Sequence, residues 1–156
     1  IRTNCTMMYG HIETIEERLQ HLFTLRDIQD ETGGFQAFVS FPFHPANTGL
    51  DYLKRVGSWE DMKMMDLSRL ILDNVDHIKA FWIMLTMPIA QLALGFGADD
   101  LDGTIGEEKI IHAAGANTGR GITRSKLRQL ITEAGFEPVE RDTFYHPVET
   151  GEEAVK

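Results

Sequence analysis

Four short apolar runs, each followed by an amphipathic stretch or a punctuated loop, constrain this chain more than any other feature. The runs are Thr6 to Gly10, Phe35 to Phe41, Ile78 to Leu85 and the brief corner Asp99 to Asp102. They read as strands, and the segments between them carry apolar residues at helical spacing. Near-continuous apolar strands separated by helices call for a parallel sheet with the helices outside it. The expected class is α/β, with about four βα units and a C-terminal helix.

Local signals mark the helices. Thr14 and Glu17 form a capping box, so a helix starts there and Gly33-Gly34 ends it. Ile15, Leu19, Leu22, Phe23 and Ile28 form its expected core stripe, with Glu16, Glu17, Arg18 and Arg26 outward. Ser58 is the expected N-cap of the next helix, with Asp61 three residues on and Met64, Leu67, Ile71 and Val75 buried. Pro88 suits the first turn of a short helix reaching Phe96, and Thr104 with Glu107 predicts a second capping box for a helix to about Ala114. Thr123 caps a last helix through Leu127, Leu130 and Ile131 to Gly135, and Pro138 to Arg141 reads as a closing extended piece. Residues 1–146 are expected to form one unit and 147–156 a frayed acidic tail.

A complete eightfold barrel takes roughly 250 residues, so a chain of 156 delivers about half of one. A half-barrel exposes two strand edges, which another chain, a second copy of this one or the other half must cover. In barrels and open α/β sheets alike, ligands bind at the carboxyl ends of the strands. That rule selects His11 and Glu13, the loop His44 to Thr48, Met84 to Thr86, and Asp99 to Thr104. His77 precedes its strand and falls at the opposite, stability end, while His21, His112 and His146 are expected to be solvated.

Composition narrows the partners. A formal charge of -9 and a pI near 5.1 leave no basic face for a phosphate backbone, so nucleic acid is not expected. No apolar run approaches the roughly 20 residues of a membrane span, and no secretory signal is visible, so the expected location is the cytoplasm. The single cysteine, Cys5, excludes an internal disulfide and reads as inert packing.

The candidate chemistry sits at the selected strand ends. His11 with Glu13 pairs a proton-transfer imidazole with a carboxylate, or is simply a hydrogen-bonded loop. His44 between Pro42 and Pro45, followed by Asn47-Thr48, offers polar donors on a stiff loop for a carboxylate or a ribose; the alternative is a turn that bonds its own backbone. Asp99, Asp100 and Asp102 with Gly97 and Gly103 gather three mutually repelling carboxylates beside open backbone, which suits a ligand, or else an acidic helix start. His11, Glu13, His44 and Asp102 could assemble a hydrolase metal site from separate strand ends, yet no His-x-His or His-Glu-x-x-His spacing supports one, and no metal ligand is assigned. Neither a phosphate-binding glycine motif nor a nucleophile elbow is present.

Several of these segments together resemble the C-terminal half of the aminofutalosine synthases, radical S-adenosylmethionine enzymes of the futalosine route to menaquinone. The resemblance is carried by Met8-Tyr9-Gly10-His11-Ile12-Glu13-Thr14, by Leu25 through Gln36, and by Phe43-His44-Pro45-Ala46-Asn47-Thr48. It continues through Leu72-Asp73-Asn74, Ile78 through Met84, the acidic corner, and Pro138 through Thr143. Two sister families, the dehypoxanthine futalosine cyclases and the deazaflavin-precursor synthases, share several of these motifs. The sisters tend to show Asn-Asp followed by Gly where this chain reads Asp99-Asp100-Leu101-Asp102-Gly103-Thr104.

The resemblance implies the C-terminal half of a TIM-like radical enzyme barrel. In such an enzyme a 4Fe-4S cluster cleaves S-adenosylmethionine, and the 5'-deoxyadenosyl radical adds to 3-((1-carboxyvinyl)oxy)benzoate to give aminofutalosine. It implies catalytic roles for His11 and Glu13, and substrate contacts from Gln36, Ser40, His44, Asn47, Thr48, Trp82, Asp100, Asp102 and Thr104. The cluster-binding Cys-x-x-x-Cys-x-x-Cys loop is absent, so the chain alone is expected to be inert and to need an N-terminal half-barrel. A sister radical activity, that of a dehypoxanthine futalosine cyclase or a deazaflavin-precursor synthase, is the runner-up; a metal-dependent hydrolase half-barrel and a non-catalytic half-barrel that dimerises through its edges stand as other classes.

Overall fold

The computed structural model describes residues 1–104 and 121–148. Strand β1 (Thr3–Tyr9) leads to helix α1 (Ile15–Thr32), then β2 (Phe35–Pro42), α2 (Ser58–Ile71) and β3 (His77–Lys79). Two short helices, α3 (Trp82–Leu85) and α4 (Met87–Ala93), a 3-10 turn at Leu94–Phe96 and helix α5 (Arg124–Glu133) follow. The sheet is parallel, in the order β1-β2-β3.

Strand register explains the burial. Cys5, Met7 and Tyr9 pair with Phe38, Ser40 and Pro42, and paired residues in a parallel ladder share a face. That face meets α1 and α2 through Leu22, Met62, Met64 and Met65, and it holds the core. On the other face Asn4, Thr6 and Met8 are exposed, opposite Ala37, Val39 and Phe41. Ala37 and Val39 are nonetheless buried, so among the described residues only the β1 part of that face is open.

Helix α1 begins as the capping box predicts: the Thr14 hydroxyl accepts from the Glu17 amide at 3.2 Å, and the Glu17 carboxylate accepts from the Thr14 amide at 2.7 Å. Gly33 closes it in the left-handed region at φ 56°. The expected core stripe is only partly correct. Leu22 and Gln29 are the buried residues, whereas Ile15, Phe23 and Ile28 are exposed. Residues 15, 19, 22, 26 and 29 follow the helical period, but Phe23 and Ile28 fall off that line. The buried position 29 is polar because Gln29 serves the backbone: its side chain bonds the Phe35 amide and carbonyl and the Asn74 carbonyl.

Three other expectations change. The N-cap of α2 is Gly57, so Ser58 lies inside the helix, and Asp61 is buried there with Met62, Met64, Met65 and Ser68. The run Ile78 to Leu85 is not one strand: pairing ends at Lys79, and Trp82 to Leu85 turn into α3, all four side chains buried. An apolar run without polar alternation fits either form, and here the chain bends inward to fill the core. The fourth strand reduces to a single parallel bridge, Lys79 to Asp100. Pro88 lies in the first turn of α4, and the Thr123 hydroxyl caps α5 by accepting from the Lys126 amide at 3.2 Å. The capping box at Thr104 and Glu107, the helix to Ala114, His112 and the tail from residue 149 lie outside the described residues.

Candidate functional site

The acidic corner follows the bridge that closes β3. Gly97 turns the chain at φ 97°, and a Cβ there would stand 2.7 Å from the Cβ of Arg69, so the close approach is made by α2 rather than by a ligand. Arg69 donates from Nε to the Gly97 carbonyl at 2.8 Å and from Nη2 to Asp99 at 2.9 Å. Asp99 also accepts from the Ile78 amide at 2.7 Å and meets His77 Nδ1 at 2.6 Å. The His77 ring in turn stacks on Tyr145, 3.8 Å between centroids and 9° between planes.

Asp100 and Asp102 are paired just as closely. The Tyr145 hydroxyl donates to Asp100 at 2.7 Å, Arg141 binds the same oxygen, and the Asp102 amide donates to the other at 2.9 Å. Lys79 Nζ lies 2.8 Å from Asp102 and 3.6 Å from Asp100. Burial by itself would raise the Asp100 carboxyl, but Tyr145, Arg141, Lys79 and the Asp102 amide outweigh it and hold it below the usual aspartate value. The repulsion expected from the sequence is thus cancelled by cations from α2, β3 and the C-terminal segment. A cavity of about 580 Å³ opens beside this corner, between Asp99 to Thr104, α5 and the 136–147 segment.

The second cluster occupies the carboxyl ends of β1 and β2. Gly10, at φ 86°, lies against Val56, where an added Cβ would approach a methyl group to 2.7 Å, and the turn it makes brings Glu13 back onto the strand. Glu13 accepts from the amides of Gly10 and His11 and from Arg18 Nε at 2.6 Å, and His11 Nδ1 stands 2.9 Å from it. Burial would raise this carboxyl too, but the amides and Arg18 prevail and its pKa is lowered. Glu13 is therefore an ionised anchor for the loop. Arg18, expected outward, is mostly buried, tied also to Glu60 at 2.6 Å and lying over the Tyr9 ring.

Behind it Tyr9 donates its hydroxyl to Asp61 at 2.6 Å. Asp61 is wholly buried, with Arg55 Nη2 3.5 Å from its second oxygen, which takes no hydrogen bond among the described residues. Desolvation raises the Asp61 pKa despite Tyr9 and Arg55, and it raises the Tyr9 hydroxyl as well. His44 Nε2 and Arg55 Nη2 converge on the Met84 carbonyl at 3.1 and 3.3 Å.

A continuous rim results. His11 meets Phe43 edge-on at 6.0 Å, His44 reaches Met84 of α3, and Trp82 of the same helix donates Nε1 to the Gly103 carbonyl at 3.2 Å, next to Asp102. These contacts link His11, Glu13 and His44 at the carboxyl ends of β1 and β2 to α3, and Trp82 of α3 to the loop after Asp102, whereas Asp100 pairs with Lys79 at the level of Val39, within the sheet. Thr48 spends its hydroxyl on its own loop, donating to Pro45 O at 2.7 Å and accepting from the Leu50 amide, and Asn47 takes φ 58° in the same turn. Gln36 lies near the amino end of β2 and bonds Asn4 and the Thr143 carbonyl. Ser40 shares the helix-facing side with Met7 and is buried, its hydroxyl unbonded among the described residues. Thr104 is exposed at the margin of the cavity.

Sequence reasoning missed Tyr9, Arg18, Arg55, Asp61, Lys79, Arg141 and Tyr145. One signal was available: Asp61, Met64, Met65 and Ser68 recur at the i, i+3, i+4 and i+7 spacing of a buried stripe, which puts an acid in the core. Among the described residues no three histidine, cysteine or carboxylate side chains converge in a way that could hold a metal ion, and no helix is long and apolar enough to cross a membrane.

A parallel sheet whose carboxyl ends carry a polar rim is the arrangement of α/β ligand-binding proteins. The chain belongs to the family described as CofH/MqnC C-terminal region, which matches residues 32–154. It is 46% identical over 154 residues to the aminodeoxyfutalosine synthase of Thermus thermophilus, covering 95% of this chain and 41% of that protein. The aminodeoxyfutalosine synthase of Streptomyces coelicolor is 43% identical over 156 residues, 93% of this chain and 40% of the relative. A 5-amino-6-(D-ribitylamino)uracil--L-tyrosine 4-hydroxyphenyl transferase of Methanosarcina mazei is 41% identical over 158 residues, 97% of this chain and 41% of the relative. The chain thus spans about two fifths of the length of these relatives.

Proposed function

We propose that the chain is the substrate-facing part of a radical S-adenosylmethionine enzyme that forms aminofutalosine from 3-((1-carboxyvinyl)oxy)benzoate. The observation that carries this reading is the 46% identity to an aminodeoxyfutalosine synthase across nearly the whole chain. The exposed sheet face of Asn4, Thr6 and Met8 supports a half-barrel reading, because those positions would line a closed barrel once a complementary half is present. Residues 1–146 would form that half, and the acidic tail would lie outside it. Edge pairing with a second copy is the competing arrangement.

The residues present do not fit an iron-sulfur cluster. Cluster ligands are thiolates, whereas Cys5 is the single cysteine, is buried in the core, and has its thiol pushed up to about 11 by burial. The cluster would belong to the complementary half. What this chain's residues would supply is position: the rim from His11 to Asp102 would orient a polar substrate, and Phe43, Trp82 and Met84 would exclude water from it. His11, held by Glu13, and His44 with Asn47 and Thr48 would contact ribose or substrate. Asp100, Asp102 and Thr104 would shape the far end; Gln36, at the amino end of β2, and Ser40, on the helix-facing side, would stand away from the substrate.

A sister reaction is the second reading, favoured by the 41% identity to the tyrosine hydroxyphenyl transferase. The complete gene product, reconstituted with iron and sulfide without oxygen, should release 5'-deoxyadenosine and aminofutalosine. Product only from tyrosine and the ribitylaminouracil would assign the sister activity instead. Failure to cleave S-adenosylmethionine, with hydrolysis restored by zinc, would overturn both.

A further inference from the structure

The His44 ring ends on a group that can only accept. Its Nε2 lies 3.1 Å from the Met84 carbonyl oxygen, so Nε2 carries the hydrogen, and in the neutral ring Nδ1 keeps the lone pair. The same carbonyl takes Arg55 Nη2 at 3.3 Å, while Arg55 Nη1 donates to Val56 O at 3.1 Å. Arg55 is held in turn by its ion pair to the buried Asp61, itself bonded by Tyr9. Helices α2 and α3 thus meet at one guanidinium, with β1 joined to it through the Tyr9–Asp61 bond and the His44 loop through the shared Met84 carbonyl.

We infer that Arg55 is a positioning residue for His44: by bridging Asp61 and the Met84 carbonyl it fixes the ring as the Nε2-protonated tautomer, with Nδ1 left to accept a hydrogen bond or a proton. The consequence is a preference in chemistry. A ring of this form takes a hydroxyl or ammonium donor from a substrate at Nδ1 and has no hydrogen there for a carboxylate. This deepens the role proposed above for His44 and rests on it only for the identity of the donor; a ribose hydroxyl is the fitting class. The charged groups facing the ring are Arg55 and Asp61. Burial lowers the imidazole pKa, the Met84 carbonyl raises it, Arg55 lowers it and Asp61 raises it, with the net result below the ordinary value.

The test is long-range proton-nitrogen NMR of the complete gene product labelled with 15N-histidine, titrated from pH 5 to 8, with His44 assigned by its loss in His44→Gln. At neutral pH the wild-type ring should show a protonated Nε2 and a bare Nδ1. Arg55→Gln should raise the titration midpoint and mix the tautomers. Asp61→Asn should lower the midpoint, and Arg55→Lys should keep the charge yet loosen the tautomer preference. If Arg55→Gln does not fold, the other two variants decide the matter. A wild-type ring protonated at Nδ1 at neutral pH, or midpoint shifts that do not follow the sign of the charge removed, would overturn the inference. The spectra need no substrate, so their failure is distinct from failure of the proposed reaction.

Discussion

The acidic corner and the β1–β2 mouth each bury a carboxylate, and the two behave oppositely. Asp100 is reached by a tyrosine hydroxyl, a guanidinium, an ammonium and a backbone amide, and its pKa falls. Asp61 is reached by one hydroxyl and a guanidinium 3.5 Å away, and its pKa rises. Burial penalises the charged form in both places, so what decides ionisation is how many donors distant segments deliver. The corner is thus a closed set of charges that pins the C-terminal segment to the sheet. The mouth holds a buried carboxylate with a raised pKa beside the histidine rim.

The largest test of that contrast is Arg141→Ala. Removing a cation from the buried corner should cost about 3 kcal/mol, because Asp100 loses its guanidinium partner, which chemical unfolding of the whole protein at pH 7 will read. Next, Gly97→Ala should cost about 2 kcal/mol, since φ 97° disfavours a side chain and the new methyl meets Arg69. Gly33→Ala, equally left-handed but in open space, sharpens the point and should cost about 1 kcal/mol. Tyr9→Phe should cost about 1.5 kcal/mol while Asp61 is ionised, and less once the pH falls through the raised folded value of Asp61. A loss that stays constant from pH 4 to pH 9 would break the contrast.

The smallest effect belongs to Asp61→Asn, which keeps an oxygen for Tyr9 and sheds the buried charge; stability at pH 7 should change by less than about 1 kcal/mol. The pH dependence carries the sign. Asp100, lowered on folding, contributes fully above the ordinary aspartate range and loses its contribution as pH falls through its folded value. Asp61, raised on folding, contributes fully below that range and loses its contribution as pH rises through its folded value. Asp100→Asn should therefore flatten the acid limb of the stability profile, and Asp61→Asn the limb above it, both checked by thermal unfolding across pH.

The sequence by itself determined what depends on neighbours along the chain. The capping box at Thr14, the left-handed stop at Gly33, the Thr123 cap and the parallel strands β1 and β2 follow from adjacent residues and short periods, so they were legible. The gathering of His11, Glu13 and His44 followed from the strand-end rule. Only the tertiary structure decided that Ile78 to Leu85 breaks into a strand and a helix, that Arg18 turns inward, and that Asp61 is buried. It alone paired the corner acids with Lys79, Arg141 and Tyr145, from segments up to 45 residues away. Local geometry is written in the order of residues, whereas charge compensation and burial depend on which distant segments meet, and no period in the chain encodes that.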